Sequence, residues 1–328
     1  MNGRARCGRI TGAGAGTLAV LLALAGCSGG AKPAPHGAAS APGATVSRPA
    51  VPSGPYVAIG DSYTAGLKVD PAGGGVRGCS RSAANYPSLV AADLHLAPGR
   101  FTDVSCSSAT TADLTAAQQV AGGSNPPQLD ALSAATGLVT IGIGGNDAGF
   151  MKVMEHCAEQ GVAASLLRAV DPKGAKDSPC RDSYTAADGS DKLTGVIGTV
   201  GQNVAGVLGE VTRRAPHAKV YLVGYPALLP ADPARCGSLL GGAVTAGDLA
   251  FLAAQEQRLN AELKNRAEAA GAVFVDTYTP SLGHDMCSGQ STRWIEPPFP
   301  AAGRAPLHPN AAGQQGMAVA VLRSVRGG

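Results

Sequence analysis

The chain has 328 residues, with 46 glycines, 23 prolines, only 15% charged residues and 4% aromatics. This suits one sizeable α/β domain plus unpacked chain. The formal charge of +3 is matched by Arg4, Arg6 and Arg9 near the start, so the remainder sits near neutrality. No basic patch or stripe is present, which excludes an electrostatic footprint for nucleic acid.

In chain order, residues 1–26 read as a signal peptide. The three arginines precede an apolar run from Leu18 to Ala25. The run ends at Leu24-Ala25-Gly26-Cys27, which resembles a bacterial lipobox. That resemblance implies a lipid on Cys27 and tethering to the outer face of the membrane; plain secretion is the alternative. No other stretch is long and apolar enough to span a bilayer. Residues 27–54 are Ala, Pro, Gly and Ser with almost no large apolar side chain, and read as a flexible linker. A single domain is expected over 55–328.

Tyr56-Val57-Ala58-Ile59 reads as a buried strand. It runs into Gly60-Asp61-Ser62, where glycine permits a sharp turn and Asp61 favours a helix start. Helices are predicted over Ala84–Leu96, Leu129–Ala135, Leu193–Ala215, Asp248–Ala270 and Ala311–Ser324. Strands are predicted over Phe101–Ser105, Leu138–Ile143, Lys219–Val223 and Ala272–Val275. Phe150–Ser190 reads as a partly helical insertion. Short apolar strands alternating with helices imply a five-stranded parallel sheet covered on both faces, a three-layer α/β/α sandwich of flavodoxin-like outline. Chemistry in such sheets gathers at the carboxyl ends of the strands.

Of eight cysteines, Cys7 lies in the leader and Cys27 at the lipid site. The other six suit an oxidising compartment. They allow many connectivities. Sequential pairing, Cys79–Cys106, Cys157–Cys180 and Cys236–Cys287, closes loops between neighbouring elements and is the expectation. No Cys-x-x-Cys pair supports a zinc site.

Three positions follow predicted strands or precede the last helix. Ser62 is a nucleophile candidate at a strand-to-helix corner. Asn146, in Gly144-Gly145-Asn146-Asp147, offers an uncharged amide donor suited to an oxyanion. His308, in Pro306-Leu307-His308-Pro309-Asn310, is a candidate general base and acid. Each alone reads equally well as a turn or cap residue; five other histidines dilute the signal of His308. No Gly-x-Ser-x-Gly elbow is present, which argues against the α/β-hydrolase fold. Gly142-Ile143-Gly144 is only half a dinucleotide fingerprint.

Taken in order, these blocks resemble the SGNH hydrolases, the GDSL lipases and esterases, from Tyr56 to the C-terminus. The resemblance implies Ser62 as nucleophile, His308 as base, and Asn146 with the Ser62 and Ser108 amides as oxyanion hole. Ser108 stands where the family has glycine, which raises strain if the site needs positive φ. Many members carry an acid three residues before the histidine; here that residue is Ala305. Secreted actinomycete members, which the chain resembles in its six cysteines and Arg293-Trp294, use a main-chain carbonyl instead. The Ala305 carbonyl is therefore the expected orienter of His308, with Asp285 and Glu296 as alternatives. The implied activity is hydrolysis of acyl esters, of lipids or fatty acids, by a monomer needing no metal or cofactor. A cell-envelope carbohydrate deacetylase and an inactive surface-binding lipoprotein are the rival readings.

Overall fold

The computed structural model describes residues 52–236 and 244–327. The expected leader, Cys27 and all but the end of the linker lie outside the described residues. The elements in order are β1 (Tyr56–Gly60), α1 (Ser62–Ala65), α2 (Tyr86–Asp93), β2 (Phe101–Asp103), β3 (Gln118–Val120), β4 (Gly123–Asn125) and β5 (Leu138–Gly142). There follow α3 (Phe150–Val170), α4 (Pro179–Tyr184), α5 (Lys192–Arg214), β6 (Lys219–Val223), α6 (Ala246–Ala269), β7 (Val273–Val275), α7 (Tyr278–Ser281) and α8 (Ala311–Val325). None of these helices is long and apolar enough to cross a membrane.

The main sheet has five parallel strands in the order β2-β1-β5-β6-β7. The alternation of side chains along each strand sorts the core into two faces. Val57, Ile59, Val139, Ile141 and Leu222 pack against Val200, Val204, Val207 and Leu208 of α5 and Leu259 and Leu263 of α6. Tyr56, Ala58, Tyr221 and Val275 pack on the other face against Tyr86 and Val90 of α2 and Met317, Val321 and Val325 of α8. This is the three-layer α/β/α sandwich the strand pattern implies. A third apolar cluster lies under the loops, where Val153 and Met154 of α3 meet Leu228, Leu249, Leu252 and Ile295.

Three disulfides pair the cysteines sequentially: Cys79–Cys106, Cys157–Cys180 and Cys236–Cys287. The second joins α3 to α4 inside the third cluster.

Several boundaries differ from the sequence expectation for local reasons. Helix α2 starts only at Tyr86, because Asn85 caps it by accepting the Ser88 N–H at 3.1 Å. Strand β2 stops at Asp103, whose carboxylate accepts the Ser105 N–H and hydroxyl and so replaces the regular strand geometry with a local turn. The stretch expected as a helix over Leu129–Ala135 is a 3-10 turn at Gln128–Ala131. The antiparallel β3–β4 pair carries no apolar alternation, so no periodicity signals it.

The chain leaves β1 for β2 on one side and returns to β5 on the other. A parallel sheet opens a crevice at such a reversal, beyond the carboxyl ends of the strands. Strands β1 and β5 run in register to Gly60↔Gly142. The segments beginning at Asp61 and Ile143 therefore leave the sheet side by side. Gly60 has φ +156°, and a Cβ there would run into the Gly142 carbonyl and the Thr64 hydroxyl. On its other side β2 has already ended. The buried Gln128 amide completes the pairing there, accepting the Gly60 N–H at 2.8 Å and donating at 3.0 Å to the Gly60 carbonyl, which also accepts the Cys106 N–H at 2.9 Å. Gln128→Ala leaves that buried N–H without a partner. We expect a loss of about 2–4 kcal/mol in unfolding free energy, read from the urea midpoint.

Candidate active site

Helix α1 begins directly beyond β1, with Asp61 as its N-cap. The Asp61 carboxylate accepts the Tyr63 N–H at 2.9 Å, and Ser62 occupies the first helical position. Amides in a first helical turn have no intrahelical acceptor, so the Ser62 N–H is free to serve a ligand. The Ser62 side chain is buried save for its opening to a cavity.

His308 arrives from the far end of the chain. Its segment pairs with residues 294–296: the Glu296 N–H meets the His308 carbonyl at 3.0 Å, the Leu307 N–H meets the Glu296 carbonyl at 3.1 Å, and Ile295 bridges Pro309. The Tyr63 hydroxyl donates to the Leu307 carbonyl at 2.6 Å, and its ring lies 5.0 Å from the imidazole. The structure thereby brings His308 Nε2 to 2.9 Å from Ser62 Oγ.

The other ring nitrogen corrects one expectation. Nδ1 lies 2.6 Å from the carbonyl of Pro306, not that of Ala305. The Ala305 carbonyl instead closes the turn, accepting the His308 N–H at 3.4 Å. Leu307 sits at φ +59°, and this turn presents the Pro306 carbonyl to the ring. A carbonyl only accepts, so Nδ1 carries the proton and Nε2 offers its lone pair to the Ser62 hydroxyl. Neither alternative acid reaches the ring. Asp285 accepts the Cys287 N–H at 2.9 Å. Glu296 pairs with Arg304 at 2.9 Å and Arg293 at 3.2 Å. Burial pushes the imidazole below its ordinary value, opposed in part by the Pro306 carbonyl.

Ser108 and Asn146 line the same cavity as Ser62 and His308, a space of about 270 Å³. Ser108 has φ +66°, the conformation glycine adopts without strain. It is held by the Cys79–Cys106 disulfide, by the Ser107 N–H on the Cys79 carbonyl at 3.0 Å, and by the Ala109 N–H on the Cys106 carbonyl at 3.1 Å. Asn146 spends one amide hydrogen on the Ala109 carbonyl at 2.8 Å, leaving the other available. Its neighbour Asp147 accepts the N–H and hydroxyl of Thr111, the first residue of a 3-10 turn. The walls are mostly apolar: Leu67, Phe150, Met151, Leu228 and Leu259.

Tyr225 and Glu256 also line the cavity and are not among the site residues expected from the sequence. Tyr225 follows β6 and hydrogen-bonds Asp61 at 2.6 Å. Its place just beyond a central strand was the available signal. Asp61 is pushed up to about 6, chiefly by burial, with the Tyr225 and Tyr63 hydrogen bonds opposing. Glu256 of α6 is 3% exposed and is pushed up to about 8, again chiefly by burial. It accepts the Leu228 N–H at 2.9 Å. Nothing in an amphipathic helix pattern marks a buried acid of this kind.

The folded state holds the Glu256 proton more tightly than the unfolded chain, so between about pH 4.5 and 8 the contribution of Glu256 to stability falls as pH rises. Glu256→Gln removes that dependence. In urea unfolding at pH 5, 6.5 and 8, we expect the difference between variant and parent to move in favour of glutamine by about 1 kcal/mol per pH unit. A constant difference would contradict the assignment.

Residues 58–315 match the model of the GDSL-like Lipase/Acylhydrolase family. The chain is 40% identical over 275 residues to "Lipase 2" of Streptomyces coelicolor, covering 82% of this chain and 85% of the relative. It is 33% identical over 299 residues to "Esterase" of Streptomyces scabiei, covering 86% and 81%. Among solved structures, phospholipase A1 from Streptomyces albidoflavus NA297 superposes with a TM-score of 0.63 at 28% identity, covering 83% of this chain and 98% of the other. The extracellular lipase from Streptomyces rimosus gives 0.62 at 28% identity, covering 83% and 100%.

Proposed function

Because the chain belongs to the GDSL-like Lipase/Acylhydrolase family, we propose that this lipase/esterase cleaves lipid or fatty-acid esters through a Ser62–His308 dyad. The observation that carries the dyad is the 2.9 Å Oγ···Nε2 contact with Nδ1 fixed on the Pro306 carbonyl. In the first half-reaction Nε2 takes the hydroxyl proton as Ser62 Oγ bonds to the ester carbonyl carbon. The carbonyl oxygen becomes an oxyanion facing the Ser62 N–H, the Ser108 N–H and the free amide hydrogen of Asn146. Collapse breaks the bond to the alcohol oxygen, which leaves with the proton from Nε2. A water molecule then repeats the sequence on the acyl-serine, and Ser62 is regenerated.

The imidazolium formed in each step is held by a neutral carbonyl and not by a carboxylate. That fixes tautomer and orientation without contributing a full charge. The depressed His308 pKa is consistent with this, since it keeps Nε2 unprotonated and ready to accept at neutral pH.

The substrate class is supported by the apolar walls of the cavity, which suit an acyl chain better than a sugar, and by the phospholipase and lipase among the structural neighbours. Export is supported by the three disulfides and by the leader expected from the sequence, and a lipid on Cys27 would hold the enzyme at the outer face of the membrane. Deacetylation of cell-envelope carbohydrate is the second reading, and retention of the fold without catalysis the third.

With p-nitrophenyl esters from acetate to palmitate, we expect turnover to favour chains longer than acetate and Ser62→Ala to lower kcat by about a thousandfold or more without loss of folding. A preference for acetate would favour deacetylation. Absence of turnover by a folded protein would favour the binding role. In the same assay kcat/KM should be lost as pH falls through a value below the ordinary imidazole pKa of about 6.5. Glu296→Gln should keep activity within about threefold of the parent, because no acid contributes to the dyad; a loss near that of His308→Ala would contradict it.

A further inference from the structure

We infer that Asp61 and Tyr225 are positioning residues for the oxyanion amide, tying the Asn146 loop to the turn that carries Ser62. The inference rests on the reading of Ser62 and Asn146 given above. The Tyr225 hydroxyl donates to Asp61 Oδ2 at 2.6 Å and accepts the Gly145 N–H at 2.7 Å. Asp61 Oδ1 accepts the Tyr63 N–H at 2.9 Å. One unbroken chain of hydrogen bonds thus joins the residue before Ser62 to the residue before Asn146.

Each link has a steric reason to exist. A Cβ on Gly145 would lie 3.0 Å from the Tyr225 hydroxyl and ring carbon, so only glycine lets this backbone come close. The Tyr225 ring packs edge-on against Tyr63 at 5.2 Å, and Tyr63 in turn abuts His308. Asp61 is 2% and Tyr225 7% exposed, so water does not readily replace a lost partner. The segment after Gly145 is stiff: the Ala148 N–H bonds the Gly144 carbonyl at 2.9 Å and the Gly149 N–H bonds the Asn146 carbonyl at 3.0 Å. A shift of Gly145 therefore carries Asn146 with it. Misplacing an oxyanion donor by a fraction of an ångström costs rate while leaving ground-state binding untouched.

Tyr225→Phe removes the hydroxyl and keeps the ring. After active-site titration with an organophosphonate, kcat should fall about tenfold to a hundredfold with KM within about twofold. Affinity for a boronic acid, whose serine adduct mimics the tetrahedral intermediate, should fall in parallel with kcat/KM. In an Asn146→Ala background the same change should cost less than about threefold, since its target is gone. Asp61→Asn preserves an acceptor for Tyr63 and a hydrogen bond to the Tyr225 oxygen, and should keep activity within about fivefold, whereas Asp61→Ala should match Tyr225→Phe. An unchanged titrated kcat in Tyr225→Phe, or penalties that multiply in the double variant, would overturn the inference. If Ser62→Ala and Asn146→Ala both lower turnover and Tyr225→Phe leaves the titrated kcat unchanged, this inference alone fails. Full turnover by Ser62→Ala would overturn it together with the reading on which it rests.

Discussion

The in-register pairing of β1 with β5 is the constraint from which the site follows. Both strands end at glycines, Gly60 and Gly142, lying opposite one another. No side chain fits between them at that level: a Cβ on either would press on Thr64. The backbones beyond therefore diverge from nearly one point. One carries Ser62 at the start of a helix and the other carries Asn146 in a glycine turn. Shifting the register by one residue would move every strand side chain to the opposite face of the sheet. It would also separate the hydroxyl from the amide, so packing of the core and placement of the site are fixed by the same hydrogen bonds.

His308 is placed by a different and more local device. It is not on the sheet at all. It hangs from a short pairing of residues 294–296 with 307–310, pressed against the first site residues by Tyr63. The absence of a carboxylate at Nδ1 makes this geometry more demanding. An acid would attract the imidazolium over a range of positions, whereas a carbonyl acts only through a well-aligned hydrogen bond. The positive φ of Leu307 is the backbone cost of that alignment. Strained backbone of this kind persists where surrounding structure over-determines it; the pairing with Glu296 and the Tyr63 hydrogen bond do so here.

Much of the sheet could be read from the chain because β1, β5 and β6 are short apolar runs buried on both faces, a pattern that survives without any partner being known. The sites at their carboxyl ends could be located for the same reason. What stayed hidden depended on partners distant in sequence or on backbone torsions. Tyr225 meets Asp61 across 164 residues, and nothing near Gly224-Tyr225-Pro226 announces a buried carboxylate partner. Pro306, rather than Ala305, faces the imidazole because of a torsion at Leu307 that leucine rarely adopts. The β3–β4 hairpin has no apolar alternation, and Glu256 is buried on α6 beside the equally buried polar Asp248, Gln255 and Asn260, which an apolar periodicity does not mark.

The most direct test of the account is a crystal structure of the protein after inactivation by a p-nitrophenyl alkylphosphonate, whose serine adduct mimics the tetrahedral intermediate. The account predicts phosphorus bonded to Ser62 Oγ, with the phosphoryl oxygen within about 3.1 Å of the Ser62 and Ser108 amides and Asn146 Nδ2. The alkyl chain should lie along Leu67, Phe150 and Leu228. Phosphorus on another side chain, or a phosphoryl oxygen turned away from Ser108 and Asn146, would contradict it.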